Sequence, residues 1–168
     1  AEGERRSVDA TLVAAEDPEA LASFITLRHR TDGAAVSLPA EGAVLSEKLA
    51  ALLNVQAGDT VTLDGETRAP AAVADTTEQY VMHYLYLTAG AYEAAFGAPP
   101  EENALLIRCP EGGTAADDLA AGLLSLPGVV SVARVQDDRD TLRQSSESVN
   151  YAVVLITVCA AALAFVVL

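Results

Sequence analysis

The side chains able to do chemistry are few, and their spacing does not suit it. Ser46-Glu47-Lys48 lacks the Ser-x-x-Lys spacing of a serine nucleophile activated by a lysine, and Ser46 is better placed as a helix cap. His29 and His83 lie far apart in the chain, and neither has a His, Cys or Glu at metal-ligand spacing. Asp137-Asp138-x-Asp140 opens like a calcium loop but lacks its glycine and distal glutamate. These carboxylates fit the positive end of a helix instead. Gly112-Gly113 is a loop without the Gly-rich strand-to-helix pattern that cradles phosphate. Cys109 ends a predicted strand and Cys159 sits in an apolar run, so they are not expected to pair. No catalytic residue, cofactor or metal is expected, and the chain reads as a non-enzyme.

The tyrosines are the most unusual feature of the first 150 residues. Four of the five, Tyr80, Tyr84, Tyr86 and Tyr92, fall within a short stretch of a chain with only 5% aromatic residues. Tyrosine joins a large apolar ring to a polar tip and so suits interfaces. On a strand Tyr80, Met82, Tyr84 and Tyr86 would share one face, with Val81, His83, Leu85 and Leu87 on the other. Two readings stand: a surface for a partner or a second copy, or a face packed under a helix.

The elements that would position these residues follow from periodicity. Residues 7–14 alternate as a strand, and Asp17-Pro18 opens a short helix to about Ile25. Asp32-Gly33 marks a hairpin within 25–39. Ser46 caps a helix with Leu45, Leu49, Leu52 and Leu53 on one face, and strands follow at 60–63 and 67–75. Residues 80–87 (YVMHYLYL) form the clearest strand and precede a helix over 89–96. A unit of strand 103–109, helix 114–126 and strand 129–135 comes next. From Asp138 a polar helix is predicted to run unbroken into residues 151–168. The fold class is α+β: a mixed sheet with packed helices, ending in a long helix that enters the membrane.

Residues 151–168 (YAVVLITVCAAALAFVVL) carry no charge. At about 1.5 Å per residue this run makes a helix of roughly 27 Å, close to the ~30 Å hydrocarbon core of a bilayer. The chain therefore divides into a domain at 1–137, a polar stalk at 138–150 and a truncated membrane helix at 151–168. Its first residues, Ala-Glu-Gly-Glu, hold no initiator Met or signal peptide, which suggests a piece of a longer membrane protein. A net charge of −14 argues against nucleic acid or an anionic membrane surface as a bulk electrostatic partner.

Three stretches, in order, carry a resemblance. They are GAVLSEKLAALLNVQAGDTVTL at 42–63, EQYVMHYLYLTAGAYEAAFG at 78–97, and LPGVVSV at 126–132, the last followed by a charged segment and SVNYAVVLITVCAAALAFVVL. Together they resemble the extracytoplasmic domain of an FtsX/MacB-type ABC transporter permease running into its second transmembrane helix. The resemblance covers roughly residues 42–168. It implies a bacterial cell-membrane protein with residues 1–150 on the extracytoplasmic side. It also implies a cytoplasmic ATPase subunit acting through the rest of the permease, a second permease copy, and a protein, peptide or lipoprotein partner outside the membrane. In that family the outer domain moves rather than catalyses, so no catalytic residue is implied. A cell-surface binding or receptor domain with a single C-terminal anchor is the alternative.

Between Asp138 and Leu168 there is no Gly or Pro, so the predicted stalk is a stiff lever where a Gly/Ser tether would damp movement. Replacing Ser145 and Ser146 by glycine should leave the domain folded but uncouple it from ATPase-driven activity of the full-length transporter. Unchanged activity would count against transmission through this segment.

Overall fold

Short stretches of alternating or continuously apolar residues set the architecture of the N-terminal part. In a computed structural model of the chain, residues 6–65, 67–109, 114–135, 153, 156 and 157 are described. The chain forms two compact units, Ala1–Arg108 and Cys109–Leu168. The first holds β1 (Thr11–Ala15), α1 (Pro18–Phe24), β2 (Ala43–Ser46), α2 (Glu47–Leu53), β3 (Thr60–Asp64), β4 (Arg68–Thr77), β5 (Tyr84–Thr88) and α3 (Ala89–Phe96). The five strands make one mixed sheet in the order β1-β5-β2-β4-β3. β1 runs parallel to β5, and β2 runs parallel to β4 but antiparallel to β5. β3 and β4 form an antiparallel hairpin. The α+β expectation with a mixed sheet therefore holds.

The helix ends follow local chemistry. The Asp17 carboxylate accepts from the amides of Glu19 and Ala20, and Pro18 takes the first helical turn of α1. Thr88 caps α3 by accepting from the Ala91 amide, and Gly97 closes that helix at φ 78°. α2 ends on Asn54 in the left-handed region at φ 57°, a conformation asparagine tolerates better than most residues.

The sheet has a core on each face. On one side Ala43, Leu45, Val61, Ala71, Val73, Leu85 and Leu87 of the sheet pack with Leu49 and Ala50 of α2, and Ala91 and Tyr92 of α3 lie against them. On the other, Leu27, Val36, Val44 and Tyr86 are buried beneath Leu21, Ile25 and Leu38. The strand pleat explains the division, since neighbours along β2 and β5 point to opposite faces.

Several expectations need correcting. β5 begins at Tyr84, so residues 80–83 lie outside the sheet. Met82 breaks the strand there by adopting φ 61°. Ser46 stands at the N-cap of α2 without a side-chain cap bond. Its hydroxyl instead accepts from the Tyr84 amide at 3.3 Å. Leu45 belongs to β2, and Leu52 is 41% exposed rather than part of the buried helix face. Residues 103–109 and 129–135 form no strand. Their apolar character alone does not make a ladder, because a strand exists only with a hydrogen-bonded neighbour.

In the second unit α4 (Thr114–Leu124) is the described helix. Asp117 in its first turn is paired with Arg134. The chain turns beyond the helix at Gly128, with φ 91°. The expected polar stalk at 138–150 lies outside the described residues. So does almost all of the run 151–168, of which Val153, Ile156 and Thr157 are helical. The Thr157 hydroxyl donates to the Val153 carbonyl at 2.8 Å. Among the described residues no helix is long and apolar enough to cross a membrane.

One glycine is required by the sheet. The register between β2 and β4 shifts after Ala43, which pairs with Val73 while Val44 pairs with Asp75. Ala74 therefore bulges. Gly42 sits against this bulge at φ 83°, where a Cβ would lie 2.9 Å from the Ala72 carbonyl oxygen and 3.3 Å from the Ala74 Cβ. Gly42→Ala should lower stability by about 1–2 kcal/mol from backbone conformation alone, with the clash adding to it. A lower urea midpoint with an unchanged slope is the expected readout.

Candidate interaction surface

The four tyrosines do not converge on one surface. Tyr84 and Tyr86 share the face that packs against Leu27, Val36 and Val44, and their rings stack with centroids 5.8 Å apart. Tyr86 is 2% exposed and belongs to the core, so its ring is not available to a partner. Tyr84 is half-buried beside it. Tyr92 packs on the opposite face of the sheet, with α2 and α3, and touches Phe96 at 4.5 Å between ring centroids. Tyr80 alone is open, at 76% exposure. The pleat thus orders Tyr84 and Tyr86 as the alternation requires, while the break at Met82 removes Tyr80 from that row.

What the break creates is an exposed apolar tip. Tyr80, Val81 and Met82 are successive large side chains, all more than half exposed. The tip joins β4 to β5 and is fixed at both ends. On the β4 side the buried Thr77 hydroxyl accepts from the Arg28 amide at 3.0 Å and lies 3.1 Å from the Arg28 carbonyl, to which it can donate. The Glu78 amide donates to that same carbonyl at 2.8 Å. The Glu78 carboxylate is ion-paired with the Arg28 guanidinium and accepts from the Tyr80 hydroxyl at 3.2 Å. On the β5 side the Ser46 hydroxyl holds the Tyr84 amide, and the His83 carbonyl accepts from the Thr11 amide at 2.8 Å. Within the loop the Gln79 side-chain amide donates to the Val81 carbonyl at 3.3 Å.

The segment beside the tip is held by contacts with carboxylates of other elements. The turn predicted at Asp32-Gly33 is present: the His29 amide donates to Ala34, Gly33 to His29, and Val36 to Leu27. This places three successive basic residues against carboxylates from other elements. Arg28 meets Glu78, His29 Nε2 lies 3.3 Å from an Asp75 oxygen, and Arg30 Nε lies 3.0 Å from Glu47. Each pair is partly solvated, so its contribution to stability is small, but together they fix the segment's position. Periodicity carried no sign of this pairing, because the partners are distant in sequence.

No reactive constellation accompanies the surface. Among the described residues no group of three or more His, Cys, Asp or Glu could hold a metal ion. A shallow open depression of 390 Å³ is lined by Ala50, Ala51, Asn54, Val55, Gln56 and Asp59. Its single carboxylate accepts from the Gln56 amide at 2.8 Å and so serves the turn.

Burial, aided by the nearby Tyr84, pushes the Tyr86 phenol above its ordinary value of 10.0. Above about pH 10 the unfolded chain should release this proton first, so stability should fall as pH rises through that range. Tyr86→Phe should flatten that fall, as read from urea midpoints between about pH 8 and about pH 11.

Compared with known proteins, the chain matches no family model, no curated protein and no solved structure.

Proposed function

We propose that this chain is the extracytoplasmic domain of an ABC transporter permease of the FtsX/MacB type, together with the start of the membrane helix that follows it. The observation that carries the reading is the order of the three sequence stretches, ending in the uncharged run 151–168. The α+β architecture is compatible with it. The stretch 42–63 folds as β2, α2 and β3 in succession, and 78–97 spans the exposed tip, β5 and α3. In this reading the domain is not an enzyme. ATP-driven movement of the membrane helices, powered by a cytoplasmic ATPase subunit and paired with a second permease copy, is delivered to a protein, peptide or lipoprotein partner. Residues 1–150 then face outward from a bacterial cell membrane.

The gene on either side of this segment provides the test. A membrane helix just before Ala1 and further membrane helices after Leu168 are expected, with an ATPase gene nearby. A stop codon directly after Leu168 and a cleavable signal upstream would overturn the proposal in favour of a cell-surface binding domain with a single anchor.

A further inference from the structure

Two incomplete pieces of β structure lie in the first unit. β1 is an edge strand: it pairs with β5, and among the described residues no strand lies on its other side. The Thr11 amide bonds to the His83 carbonyl. In the alternation of a parallel ladder Thr11, Val13 and Ala15 then face β5, while the backbone groups of Leu12 and Ala14 face outward. The second piece is residues 104–107 (ALLI), an apolar run that belongs to no ladder. Its three large side chains, Leu105, Leu106 and Ile107, are all exposed, Leu105 by 81%.

Arg108 ties the second piece to the first. Its guanidinium donates to the Ser23 carbonyl and lies 5.4 Å from the centre of the Phe24 ring, at the end of α1. α1 returns beside β1. Leu21 and Ile25 pack in one core with Val13, and the Arg28 amide then bonds to Thr77, which lies level with Ser46, Tyr84 and Thr11. Arg108 is therefore held on the Val13 side of the sheet, toward the start of β1. We propose that residues 104–107 are a strap that closes on the outer edge of β1 as a sixth strand. Because the strap ends at Arg108, it runs antiparallel to β1. With Arg108 kept on the Val13 side, opposite Thr11, Ile107 faces Leu12, Leu106 faces Val13 and Leu105 faces Ala14. Closure supplies partners to the outward backbone groups of Leu12 and Ala14, and it moves Leu105 and Ile107 from water onto Leu12. An uncovered edge is a template for another chain, so the strap sets whether this edge is open to one. The inference stands on these contacts and does not rest on the permease reading.

The test uses the full-length protein with Cys109→Ser and Cys159→Ser. Val13→Cys is combined with Leu106→Cys, or with Leu105→Cys as the control, and each protein is oxidised with copper phenanthroline. Positions 13 and 106 would be a non-hydrogen-bonded antiparallel pair, close enough for a disulfide, whereas residue 105 points to the other face. Peptide mapping on mixed isotope-labelled and unlabelled copies tells a bond within one chain from a bond between two. The expected result is a disulfide within one chain joining positions 13 and 106, formed about tenfold or more faster than the control. Amide hydrogen exchange, read on a chain with its native cysteines, is the second measurement. Leu105→Pro removes the donor to the Ala14 carbonyl, so the Leu12 and Ala14 amides should exchange about tenfold faster in that variant. The Val13 amide, which faces β5, should be unaffected. No disulfide between positions 13 and 106, equal rates for the two pairs, bonds only between copies, or Leu12 and Ala14 exchange that Leu105→Pro leaves unchanged would each overturn the proposal. Since flanking gene sequence alone decides the permease reading, the two can fail separately.

Discussion

The fold depends on burial of the four residues of β2. Ala43, Val44, Leu45 and Ser46 are all fully buried. β2 is hydrogen-bonded antiparallel to β5 on one side and parallel to β4 on the other. Ala43 and Leu45 enter the core beneath α2 and α3, while Val44 enters the core with Tyr86. A strand this short can anchor both layers only because neither face meets water. Its last residue extends that role, since the Ser46 hydroxyl satisfies the Tyr84 amide where the ladder ends.

Much of this architecture could be read from the sequence where the signal was local. Asp17-Pro18 opens α1 as capping chemistry predicts, the predicted span 89–96 is that of α3, and the turn at Asp32-Gly33 is present. Signals failed where a residue had two physical uses. Ser46 has the chemistry of a cap, yet its hydroxyl answers a distant strand. Residues 80–83 continue the alternation of β5, yet Met82 turns the backbone away. Residues 103–109 are apolar enough for a strand, but a strand requires a ladder that its own sequence does not encode.

The tyrosine cluster shows the same limit at the level of the surface. Alternation fixes that Tyr84 and Tyr86 point the same way, but it does not say whether that side is covered. Here the segment containing Leu27 and Val36 covers it. That cover depends on pairs no local pattern reveals, with Arg28 meeting Thr77 and Glu78 at the end of β4. The segment that covers Tyr86 is thus also bonded, through Arg28, to the residues that lead into the tip.

The opposite end of the sheet shows how this chain treats exposed β structure it does not use. Residues 68–72 of β4 pair with β3 on one side, and β2 begins its pairing only at Val73. The outward positions there are Thr60, Thr62 and Asp64 on β3 and Arg68, Pro70, Ala72 and Ala74 on β4. They are small, hydroxylated or charged. Pro70 lacks an amide to donate along this stretch, which discourages strand addition. Asp64 and Arg68 face each other across the hairpin at 2.8 Å, and this hydrogen bond holds the Asp64 carboxyl below its ordinary value. The same unit leaves large apolar side chains uncovered elsewhere, at residues 80–82 and 105–107.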